Sequence, residues 1–121
     1  MKTTIKKPDI LQEYALLPEY SDKFPSIDGK NLFGDYPLNT ASIIGDVKDV
    51  QEIINLGSNI NCQGEDGYTP LHNAVEQGNI EVLKLLLSLG ADANIKDDDG
   101  CTPLDLAIIL QKKQAIKLLS P

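Results

Sequence analysis

Along residues 71–89 the apolar positions fall into two short runs separated by a glycine. Leu71, Ala74 and Val75 come first, then Val82, Leu83, Leu85, Leu86 and Leu89. Steps of three and four place each run on one face of a helix, and Glu81, Lys84 and Ser88 fall on the opposite face of the second. The punctuation agrees. Thr69 suits an N-cap, and Pro70 suits the first helical position, where its missing N–H costs nothing. The pattern predicts a first helix over 71–77 ended by Gly78, and a second over 80–89 capped by Asn79. Gly90 closes the second in the left-handed conformation. Val82, Leu83, Leu85, Leu86 and Leu89 are all expected to point inward. A helix pair this short cannot bury its own apolar face, so it must stack on neighbours.

Those neighbours are visible as a period. Gly34, Gly67 and Gly100 stand 33 residues apart, and Pro37, Pro70 and Pro103 keep the same step. So do Leu38, Leu71 and Leu104, and Ala41, Ala74 and Ala107. Residues 34–66 share nine identities with 67–99, and 67–87 share eight with 100–120. The expected organisation is all-α, with three helix-turn-helix units over 34–66, 67–99 and 100–121. Residues 1–33 form a separate segment rich in aromatics. Asp9 to Leu16 is predicted to make a short helix that seals the first unit, the alternative being an arm that binds a partner.

Gly67-Tyr-Thr-Pro-Leu-His-Asn-Ala74, followed by Gly78-Asn and Leu85-Leu-Leu-Ser-Leu-Gly-Ala-Asp-Ala-Asn94, resembles the ankyrin repeat. The flanking units depart from it. Tyr36 replaces the capping threonine in the first, and the third has Asp105 for the histidine and Gln111 for the inter-helix glycine. Units one and three therefore read as caps of the solenoid, the last truncated. The resemblance implies a structural role for His72, whose ring hydrogen-bonds neighbouring turns, and a protein-binding function without catalysis.

Composition and charge narrow the chemistry. The 121 residues carry 11 lysines and no arginine against 18 acidic residues, a net charge of −7. That balance argues against nucleic acid and against anionic membranes. No apolar run approaches a membrane span, and Asp9, Gln12 and Glu13 spoil a secretory core after the basic start. Cys62 and Cys101 lie a repeat apart in connecting loops, without Cys-x-x-Cys spacing, and are expected to be free thiols in a reduced cytoplasmic setting. Asp97-Asp-Asp99-Gly100 lacks the alternating ligands and the distal glutamate of a calcium loop, so it reads as a solvated acidic turn. No catalytic motif, cofactor or metal site is expected.

The charge is uneven. Residues 34–99 hold three lysines against twelve acidic residues, net −9, while residues 100–121 are net +2. In ankyrin proteins partners meet the loop tips and the exposed side of the first helices. Mapped onto this chain, that surface comprises Leu32, Phe33, Asp35, Ile43 and Ile44, then Glu65, Asp66, Tyr68, Glu76 and Gln77, then Asp98, Asp99, Cys101, Ile109 and Leu110. The alternative for Ile109 and Leu110 is a place against the final helix. Aromatics beside carboxylates suit a basic protein partner. The chain looks like the small bacterial ankyrin immunity proteins that neutralise toxins, with an acidic face occupying the groove of a nuclease-type toxin. The other readings are a regulatory adaptor of a cellular enzyme, or an acidic surface that only maintains solubility. The free protein is expected to be a monomer.

Overall fold

The computed structural model describes residues 29–121. The expected helix over Asp9–Leu16 lies outside the described residues. Six α-helices lie among the described residues, in pairs: α1 (Pro37–Ile44) with α2 (Val47–Asn55), α3 (Pro70–Gln77) with α4 (Ile80–Ser88), and α5 (Pro103–Ile109) with α6 (Lys113–Leu119). The first helices stack α1 on α3 on α5, and the second helices stack α2 on α4 on α6. Among the described residues there is no strand, and the fold is an all-helical solenoid.

The core is one continuous strip between the two rows of helices. Leu38, Val50 and Ile53 fill the first pair, Leu71, Val75, Val82, Leu83 and Leu86 the second, and Leu106, Ala107 and Ala115 the third. Ala41, Ala74 and Ala107 are wholly buried where the first helices approach their partners. A larger side chain there would force the helices apart. Leu89 departs from its expected inward position and is 42% exposed. Helix α4 ends at Ser88, so Leu89 is its C-cap and has left the helical phase that buries Leu86. Gly90 (φ +90°) then closes the helix as expected. Its N–H donates to the Leu87 carbonyl at 3.1 Å and the Ala91 N–H to Leu86 at 3.0 Å, which satisfies two of the carbonyls left over in the last turn.

Asn79 also differs from its expected role. Its side chain makes no bond to the start of α4. Instead Nδ2 donates back to the preceding pair, to the Ser42 and Ile43 carbonyls at 2.7 and 3.0 Å. These are C-terminal carbonyls of α1 with no intrahelical partner, so an amide gains more there than by capping its own helix. At the equivalent place in the first pair, Asp46 does cap, accepting from the Lys48 and Asp49 N–H groups.

Candidate protein-binding surface

Each unit begins with a tight turn, and the three turns close in one way. The N–H of Asn31, Gly64 and Asp97 donates to the carbonyl of Asp35, Tyr68 and Cys101 respectively, at 2.8, 2.9 and 2.8 Å. In the first and third turns an Asx side chain organises the tip. Asn31 Oδ1 accepts from the Phe33 and Asp35 N–H groups. Asp97 Oδ1 accepts from those of Asp99 and Cys101. Asp97 is therefore buried, which corrects its reading as part of a solvated turn; Asp98 and Asp99 are exposed. The second turn has Gly64 at this place and no side chain to offer. Asp35 of the first unit takes up the space beside it, where its carboxylate accepts the Glu65 N–H at 2.9 Å. A Cβ on Gly64 would collide with that carboxylate.

This exchange explains where Asp35 sits. It is 6% exposed and turned into the fold, where the sequence placed it on the binding surface. Most of the remaining expected residues lie outward. Leu32 and Phe33 form the first tip, Glu65 and Asp66 the second, and Asp98 and Asp99 the third, all exposed. Phe33 is 61% exposed. Glu76 and Gln77 are exposed in the last turn of α3, Glu76 beside the Tyr68 phenol, and Ile44, Ile109 and Leu110 are exposed at the corresponding ends of α1 and α5. Ile109 is 64% exposed and Leu110 40%.

Adjacent turns are fastened to one another. The Asp98 N–H donates to the Asp66 carbonyl at 3.0 Å, and Gln63 Nε2 bridges to the Lys96 and Gly67 carbonyls at 3.0 Å each. Gly67 adopts φ +73°, and a Cβ there would strike Asp98, so the close approach of the two tips needs glycine. Asp66 itself holds φ +62°, a left-handed conformation that aspartate tolerates better than most residues. The acidic tips are thus set on a hydrogen-bonded frame.

Tyr68 links this frame to the helices. Its ring stacks on His72 with 5.3 Å between centroids and an interplanar angle of 19°. Burial, with the nearby Glu76, Asp97 and Asp66 carboxylates, pushes its phenol up to about 12, so it remains a donor. The imidazole beneath it is fully buried. Nδ1 accepts from the Thr69 N–H at 3.1 Å, and Nε2 lies 2.8 Å from the Cys101 carbonyl, partners that require the neutral Nε2–H tautomer. Asn39 does the same work one unit earlier, accepting from the Tyr36 N–H and donating to the Tyr68 carbonyl at 3.1 Å in each case. His72 is a structural link between units, and its pKa is lowered, chiefly by burial.

Among the described residues no group of three or more His, Cys, Asp or Glu side chains is placed to hold a metal ion, and no helix is long and apolar enough to cross a membrane. Cys62 and Cys101 are free, and burial pushes the Cys62 thiol up to about 12. What the surface offers is shape, charge and exposed apolar area, the means of binding another macromolecule.

The family described as Ankyrin repeats (many copies) matches residues 53–107, from the second helix of the first pair into α5. No curated protein matches the chain. Ankyrin repeats serve generally as protein-interaction modules. The 33-residue register, the stacked helix pairs and the inter-unit bonds of Asn39 and His72 agree with this match: the fold is that of an ankyrin-repeat helical solenoid, and over residues 53–107 the chain is similar to that family.

Proposed function

We propose that the protein binds a basic protein domain across its loop tips and the exposed side of the first helices. The observation that carries this reading is the row of exposed carboxylates on one frame: Glu65, Asp66, Glu76, Asp98 and Asp99, with Tyr68 among them. The ion pair of this region, Lys84 to Glu81 at 3.5 Å, lies on α4 and neutralises none of them. Unneutralised carboxylates held near one another by backbone bonds raise the local potential and attract a basic partner at long range. The tips and Glu76 would contact the partner directly, with Phe33, Leu32 and Gln77 at the edge. Asp35 serves the frame.

The partner class proposed is a nuclease-type bacterial toxin domain, neutralised by carboxylates that occupy the place of phosphates in its substrate groove. Affinity purification from native cells at low salt, with mass spectrometry of what co-elutes stoichiometrically, tests the class. A basic toxin domain supports it, and a metabolic or signalling enzyme replaces it with the regulatory-adaptor reading. The mechanism has its own test. Association should slow steeply as ionic strength rises, and a salt-insensitive on-rate overturns charge steering.

A further inference from the structure

The third pair leaves an outward face that the repeat register makes directly comparable with buried positions of the second. Val75 is 0% exposed under α5, but its equivalent Ile108 is 55% exposed. Leu71, Leu83 and Leu86 are buried, and their equivalents Leu104, Ile116 and Leu119 are only partly covered. These side chains are the third pair's counterparts of the positions through which the second pair stacks on it, and they leave an apolar face on α5 and α6.

One substitution decides what such a face can accept. At the third position of the first helix, Asn39 and His72 each donate to a carbonyl of the following pair, Tyr68 and Cys101 respectively. The third pair has Asp105 there. One of its oxygens accepts the Thr102 N–H at 3.1 Å, which keeps the local capping box. By the repeat register its other oxygen corresponds to Asn39 Nδ2 and His72 Nε2, the atoms that donate to the following pair, and it can only accept. A carboxylate cannot donate, so another pair of the same kind, from this chain or from a second copy, would bring its carbonyl against a negative charge. A lysine or arginine, by contrast, would complete the site.

We infer that the α5–α6 face docks an amphipathic helix of a partner whose apolar stripe is flanked by lysine or arginine, with Ile108 as the apolar anchor and Asp105 as the charge complement. This surface is separate from the acidic tips, and the inference stands independently of the function proposed for them.

The test uses the full chain and two blocked helical peptides of 16 residues, each with a leucine stripe, flanked by lysines in one and by glutamates in the other. The lysine peptide should bind the more tightly. Asp105→Asn should weaken it about fivefold, the loss of one partly exposed charge pair, and Ile108→Ser about tenfold. Both variants should fold, because Asn39 already fills the same role in the first pair and Ile108 is largely exposed. Glu65→Lys with Asp66→Asn should change this affinity less than twofold. Equal binding of the two peptides overturns the inference, as does indifference to Asp105→Asn or Ile108→Ser, or loss of binding only on substitution at Glu65 and Asp66. Sedimentation that shows a dimer dissolved by Ile108→Ser would assign the face to a second copy and overturn it too.

Discussion

The His72 ring holds its two neighbours only while neutral, because protonation of Nδ1 would remove the acceptor for the Thr69 N–H. Burial lowers its pKa below the ordinary 6.5. Above 6.5 folded and unfolded chains are both neutral here, and this contribution to stability is whole. As pH falls through 6.5 the unfolded chain takes up a proton that folded His72 refuses, so stability declines until the lowered value is reached. Thermal unfolding between pH 7 and pH 5 should show the midpoint falling with pH, and His72→Asn should flatten that slope. At pH 7, His72→Ala should cost roughly 2–3 kcal/mol by leaving two buried backbone groups unpaired. His72→Asn should recover part of that loss, since Asn39 makes the equivalent bonds. Gln111 presents the opposite case. It holds φ +57° where the second unit has Gly78, which is strain for a side chain with a Cβ. Gln111→Gly should raise stability in denaturant titration by about 0.5–1 kcal/mol, after the extra entropy of glycine in the unfolded chain is subtracted.

At the scale of elements, the pairs are joined by side chains that reach across the repeat boundary. Gly45 (φ +90°) ends α1, and a Cβ there would meet the Asn79 amide at 2.8 Å. That amide is where the Ser42 and Ile43 carbonyls find their donor. Gly45→Ala should therefore cost about 2 kcal/mol or more, and Asn79→Ala about 1–2 kcal/mol. Their double mutant should cost less than the sum, because removal of the amide also removes the collision. A double-mutant cycle measures that coupling, and strict additivity would show that the two residues do not act on one another. The helix starts were legible beforehand, since Thr69 and Thr102 cap and Pro37, Pro70 and Pro103 occupy first positions, all local properties. Asn79 was legible as polar at a helix start. Its true partners lie 36 and 37 residues back, which local pattern does not reveal.

For the whole molecule, stability and binding should separate along the frame. Glu65→Lys with Asp66→Asn should leave the thermal midpoint nearly unchanged and abolish most of the partner affinity, because both side chains face solvent and asparagine tolerates the left-handed backbone at 66. Asp35→Ala should do the reverse and cost about 1–3 kcal/mol, since it strips the acceptor from the Glu65 N–H. Calorimetry alongside a binding assay distinguishes the two outcomes, and a destabilised Glu65/Asp66 variant would mean that the tips belong to the fold.

The sequence by itself determined the period, the all-helical units, their boundaries at proline and glycine, and the segregation of charge. Each of these is written in residues one or two turns apart or repeated in register. The tertiary structure decided which polar residues belong to the frame and which to the surface. Asp35, Asp97 and Glu65 are all carboxylates in or beside turns. Asp97 folds onto its own loop, whereas the stacking of one turn on the next brings Asp35 beside Gly64 to take the Glu65 N–H and leaves the Glu65 side chain facing water. The physical reason is that a buried N–H must find an acceptor. Which acceptor it finds depends on what the neighbouring unit brings within reach.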